Sequence, residues 1–323
     1  MRKRIYIIAL LAIVSSVVSS CGHNEDAEAG PLEEDQWLNP YGASSADKQL
    51  QETFYKTNGI YLLFNDTLQK KQTSINPDGS PFYEYEAVRL DYSVSGEGDG
   101  SKKVFAFDYL NTDTEKQTAA DFVQNKVLPH LSGSLMPFSV LLVNRIDYTH
   151  SGSDTYYQMA TTHPVVYAGP RCTAIAVAGI DDMSDAEQTS YCNNILMNII
   201  NSKLSSLPEG TFDEFYSFCS AYYGTYGMND DAMTLLATYP TQYDLGLLEN
   251  GCYAYTDGTN PAYPNFSFPF YNIKAKDYDL QDYTEHLFTM TEDEFTAKYS
   301  KYPVVMKKYS ILKKIYENLG VKF

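Results

Sequence analysis

Basic residues are scarce in this chain: 24 Lys and Arg stand against 41 Asp and Glu, for a formal charge of −17. A protein that acidic repels a phosphate backbone, which excludes nucleic acid as a partner. Histidine is rarer still. The five are His23, His130, His150, His163 and His286, and no two stand at helical ligand spacing, so no helix carries the paired imidazoles that grip a zinc ion. Beside Cys21 there are only Cys172, Cys192, Cys219 and Cys252, without a C-x-x-C, which excludes a zinc ribbon. Export permits disulfides, and four cysteines leave three pairings open, but buried or partly paired thiols are the simpler expectation. There is no G-x-S-x-G elbow and no Walker loop. The stretch SGEGDG at residues 95–100 is rich in glycine but acidic, a poor phosphate cradle and a good hairpin turn. The apolar run at residues 5–18 spans 14 residues, short of the roughly 20 that a membrane-crossing helix needs.

What is there begins with that run. Arg2, Lys3 and Arg4 precede it and small residues follow it, the pattern of a secretion signal. Val18, Ser19, Ser20 and Cys21 match a bacterial lipobox, in which cleavage exposes a cysteine that becomes acylated. Residues 1–20 are therefore expected to be a signal peptide, and Cys21 the lipidation site. Losing three positive charges takes the formal charge from −17 to −20. Residues 21–50 are poor in large apolar groups and carry the acidic runs NEDAE and EED, which read as a tether. Acidic residues just behind the lipidated cysteine resemble the surface-export signals of Bacteroidota lipoproteins. Residues 51–323 remain for one domain with a substantial core.

Within that domain the first half is mixed. Strand-like apolar runs occur at residues 59–64, 82–94 and 138–143, and residues 118–128 place Phe122, Val123 and Val127 at helical spacing before Pro129. The second half is mainly helical. Ser184 with Glu187, Thr211 with Glu214, and Thr291 with Glu294 each have the S/T-x-x-E spacing of a capping box, so three helix starts are expected there. A terminal helix over residues 303–319 sets Val304, Tyr309, Leu312, Ile315, Tyr316 and Leu319 on an apolar stripe, with Lys307, Lys308, Lys313 and Lys314 on the other side. Residues 253–278 form a segment dense in Tyr, Pro, Asn and Phe; tyrosine offers sugars and peptides a flat apolar face with a polar tip, and equally covers a core.

A mixed-sheet half followed by a helical half behind a lipid anchor resembles the substrate import-associated zinc metallohydrolase lipoproteins, zinc-binding metallopeptidases that accompany SusC/SusD-type importers. Three segments carry the likeness: KTNGIYLLFN at residues 56–65, the helix-then-strand order of residues 122–144, and the ending from YSKYPVV at residues 299–305 to LGVKF at residues 319–323. The resemblance implies an α+β, zincin-like domain. It also implies an H-E-x-x-H helix, in which two histidines hold zinc while the glutamate activates its water.

That helix is occupied here by CNNILMNIINSKL at residues 192–204. Aligning the family's following leucine with Leu204 puts Asn198 and Ser202 at the histidine positions and Ile199 at the glutamate position. Isoleucine is no general base, and neither amide nor hydroxyl is a usual zinc ligand. Asn194, Asn198 and Ser202 are left as an uncharged polar stripe opposite Leu196, Ile200 and Leu204. The family's downstream E-D-F-A-E motif corresponds to Gln281 through Glu285, keeping Asp282 and Glu285. The metal site therefore reads as degenerate and no cofactor is expected at it, although zinc is the family's metal. Of the histidines only His286, beside Glu285, invites inspection. The expected protein is a non-catalytic lipoprotein of the outer membrane, a binding or accessory part of a SusC/SusD-type importer with a peptide or glycan ligand. The alternatives are an active metallohydrolase with unconventional ligands and a glycan-binding lipoprotein of another fold, such as a β-sandwich.

Overall fold

The computed structural model describes residues 44–88, 90, 104–151, 159–228, 230–255 and 270–323. Cys21, nearly all of the acidic tether, the turn at residues 95–100 and most of the tyrosine-rich segment lie outside the described residues. The chain is an α+β protein built on a mixed six-stranded sheet.

The sheet is organised by one long strand, β5 (Ser139–Ser151). Its first half pairs in parallel with β1 (Tyr61–Leu63) and β8 (Thr173–Ala176). Its second half pairs antiparallel with β4 (Val104–Tyr109) and β6 (Met159–Thr162), while β7 (Val166–Ala168) closes the far edge against β8. Side chains alternate across a strand, and the sheet uses both faces. Leu62, Val140, Leu142 and Ile175 enter the main core beneath the helices, whereas Leu63, Leu141, Val143 and Ala174 enter a smaller cluster with Leu68, Leu90 and Ile146. Burial on both faces explains why residues 140–143 read as an unbroken apolar run. A separate hairpin, β2 (Thr67–Ile75) with β3 (Pro81–Ala87), stands out with Ile75, Phe82 and Tyr85 exposed.

Two helices pack in the first half. α1 (Ser45–Asn58) starts inside the stretch assigned to the tether, because Ser44 and Asp47 form a capping box and Gln51 and Phe54 are buried. α2 (Asp113–Phe122) begins five residues before the expected helix, on the Thr112–Glu115 box, and continues as a π-helical turn (Val123–Val127) and then a 3-10 turn (Leu128–His130) that takes in Pro129 near its start.

The second half holds α3 (Asp185–Leu204), α4 (Asp213–Ser217), α5 (Asp230–Thr238), α6 (Lys276–Thr289), α7 (Glu292–Tyr299) and α8 (Pro303–Leu319). Capping boxes start α3 and α7 as expected. The third fails. Thr211 donates its hydroxyl to the Pro208 carbonyl at 2.6 Å, and the five-residue α4 takes Phe212, one residue further on, as its N-cap, which has no side-chain cap to offer. A small antiparallel sheet of β9 (Tyr226–Met228), β11 (Phe270–Ile273) and β10 (Cys252–Tyr255) also interrupts the helices. Lys308 is a further correction. It is completely buried instead of lying on the outer side of α8. The four cysteines of the domain are buried free thiols, and burial pushes the Cys172 and Cys252 thiols up to about 12.

Candidate functional site

α3 turns Cys192, Ile195, Leu196, Ile199 and Ile200 into the core. Ile199, which the sequence resemblance sets at a glutamate position, is therefore packing. The polar stripe closes on itself: Asn198 Nδ2 donates to the backbone and side-chain oxygens of Asn194, both at 2.8 Å, and Ser202 Oγ donates to Ile199 O at 2.6 Å. These are local bonds that short polar side chains make with their own helix.

α6 does not complete a site with them. Asp282 is buried and takes the Asn250 backbone N–H at 2.7 Å and its amide at 3.3 Å, serving the loop that leads into β10. Glu285 is exposed. The structure thus leaves Asn198, Ser202, Asp282 and Glu285 in separate hydrogen-bonding surroundings, although α3 and α6 are packed neighbours.

Between those helices a cleft of about 540 Å³ opens. Asn201 and Leu204 line it from α3, Phe212 and Tyr216 from α4 and its cap, and Gln281 and Thr284 from α6. Asn198, Ser202, Asp282 and Glu285 are not among its walls. The helix therefore presents Asn201 to the cleft, a face the leucine-based alignment passed over. Two aromatic rings and two amides share the walls with the charged Asp213, Asp277 and Lys276, so the cleft joins apolar surface to groups that donate and accept hydrogen bonds.

Two charged clusters flank α6. In the first, Lys308 Nζ lies 2.5 Å from Asp279 Oδ2, 2.8 Å from Gly246 O and 3.5 Å from Cys219 Sγ. The Phe215 and Tyr283 rings cover it at 4.5 and 4.8 Å, and Tyr223 donates to the same Asp279 oxygen. Burial raises the Asp279 carboxyl above its ordinary range, against the pull of Lys308.

The second cluster holds Glu249, Asp282 and His286. The carboxylates beside His286 are thus Asp282 and Glu249, and not Glu285, since adjacent residues of a helix point apart. Glu249 receives Lys298 Nζ at 2.6 Å and the hydroxyls of Tyr299 and Tyr243 at 2.7 and 3.2 Å. Burial works to raise Glu249, but the bonds from Lys298 and Tyr299 win and hold it at about 2. Asp282 is shifted up by burial, partly offset by the Asn250 N–H. A search of the sequence for paired histidines passes over this group; the readable signal is an aspartate and a histidine four residues apart on one helix.

Elsewhere, His130 Nδ1 lies 2.7 Å from Lys322 O, and His163 Nδ1 lies 2.7 Å from Asp147. The His150 side chain lies outside the described residues. No family model, curated protein or solved structure matches this chain.

Proposed function

We propose that this chain is a lipid-anchored, non-catalytic binding protein of the outer membrane, a divergent zincin-like relative of the import-associated metallohydrolases that serves a SusC/SusD-type importer. The observation that carries the reading is the state of α3. Where a hydrolase of that kind needs two imidazoles and a carboxylate, Asn198 and Ser202 are bonded within their own helix and Ile199 is in the core. Neither an amide nor a hydroxyl is a usual zinc ligand, and isoleucine is no general base. The cleft beside it remains available, and its amides and rings, with two carboxylates to one ammonium among the walls, suit a small peptide or sugar better than an anion, which the acidic chain repels. The mixed sheet with helices also gives no support to the β-sandwich alternative.

The test is binding to panels of short peptides and neutral oligosaccharides, by calorimetry, with Phe212→Ala and Gln281→Ala as site variants. Saturable binding weakened at least tenfold by either variant supports the reading. Binding that ignores both variants places the ligand elsewhere, and hydrolysis of panel members in place of simple binding contradicts it.

A further inference from the structure

Residues four apart on a helix face the same way, and on α6 that spacing is held by a carboxylate and an imidazole, Asp282 and His286. Glu249 approaches them from the loop before β10. One oxygen from each carboxylate and one ring nitrogen lie within 4.8 Å of one another. The closest approaches are 3.5 Å from His286 Nε2 to Glu249 Oε2 and 3.5 Å from His286 Nδ1 to Asp282 Oδ1. Ligand atoms about 2.1 Å from a tetrahedral zinc stand about 3.4 Å apart; Glu249 Oε2 already stands at that spacing from Nε2, whereas Asp282 approaches the ring from the Nδ1 side and has to turn toward Nε2 to join them.

The imidazole is already oriented as a ligand. Nδ1 lies 2.8 Å from the Asp282 backbone oxygen, which accepts only from an N–H, so the nitrogen left to ligate is Nε2, which faces Glu249. Tyr299 has one hydroxyl proton and spends it on Glu249 at 2.7 Å, so its 3.2 Å approach to Nε2 does not consume that lone pair. Charge points the same way. Among the described residues no lysine or arginine pairs with Asp282, whose side chain is completely buried, and Lys298 answers Glu249 alone. Two carboxylates thus meet a single ammonium, and a divalent cation is the kind of charge they hold.

We propose that Glu249, Asp282 and His286 bind a divalent transition-metal cation of the zinc class, as a structural clamp tying the loop before β10 to α6. Mixed imidazole and carboxylate donors suit such an ion, and three protein ligands leave one position for water. A structural role follows from burial. The Asp282 side chain is inaccessible, His286 is 14% exposed, and none of the three lines the cleft. The ion enters past Glu249, displacing Lys298, which is half exposed and free to move into solvent at little cost. The site is separate from the α3 positions and does not depend on the binding function proposed for the cleft.

The test uses the purified full chain stripped by chelator, with Co²⁺ and then Zn²⁺ as probes. The expected result is about one Co²⁺ per chain, with the visible absorption of a four-coordinate site, displaced by Zn²⁺, and a higher unfolding midpoint when Zn²⁺ is present. His286→Gln and Glu249→Gln each abolish the spectrum, Lys298→Ala tightens binding severalfold by removing the competing ammonium, and His163→Gln changes nothing. Absence of uptake by the wild-type chain, or uptake unaltered by His286→Gln and Glu249→Gln, overturns the proposal. If those two variants lose their fold by circular dichroism, the Lys298→Ala result decides: no tightening overturns it.

Discussion

Lys308 ends in a closed box of Asp279, Gly246 O and two aromatic rings, and such a group is costly to disturb from one side only. Removing one member of a buried pair strands the other charge, so Lys308→Ala should lower stability by about 3–5 kcal/mol. The double change Lys308→Met with Asp279→Asn should cost clearly less; urea unfolding of the single and double variants measures the difference. The helical period does place Lys308 on the stripe of Val305, Leu312 and Tyr316, three, four and eight residues away; only its charge argued for the outside, and its partner on α6 is invisible from α8. Glu249 gives a pH dependence. Its folded pKa, near 2, is depressed below the ordinary 4.5. Its contribution to stability is therefore present above pH 4.5 and lost as the pH falls toward 2. The stability gap between wild type and Glu249→Gln should shrink over that window in denaturant titrations; a gap that widens on acidification contradicts the Lys298 and Tyr299 assignment.

Among the helices, the caps separate what is local from what is not. Ser184 and Glu187 satisfy each other's backbone donors, so Ser184→Ala should cost about 1 kcal/mol, as an N-cap loss does. Thr211→Ala should cost less in the same unfolding assay, because the Thr211 hydroxyl does not cap α4. The spacing was legible for α3 and α7, and it was equally present at Thr112 and Glu115, where the apolar period drew attention five residues too late. It misled at Thr211, because the chain enters the helix one residue later, at Phe212. β9, β10 and β11 carried little signal, since their pairing joins residue 228 to 270 and 252 to 273 and is set by contacts far apart in the chain. The cleft was legible as a pair of helices to compare. Which of their faces meet was not: the rotation of α3 that presents Asn201 is decided by the core packing of Ile195, Ile199 and Ile200.

For the molecule as a whole, a sheet buried on both faces and a large helical core make covalent staples unnecessary. Reductant should leave the unfolding midpoint unchanged, consistent with the free thiols at Cys172, Cys192, Cys219 and Cys252; a cooperative unfolding transition caused by reductant alone contradicts this. The anchor is tested by Cys21→Ser, which should move the protein from the membrane fraction to the soluble fraction; a variant that stays with membranes through detergent-free washing places the anchor elsewhere. If α3 carries packing and self-bonded amides where a hydrolase would carry its zinc ligands and base, as proposed, the chain binds without hydrolysing. The most direct measurement is a hydrolysis screen of purified chain, loaded with Zn²⁺, against peptides and glycosides with and without chelator. The account predicts no turnover in either condition. Turnover that chelator abolishes and added Zn²⁺ restores would contradict it.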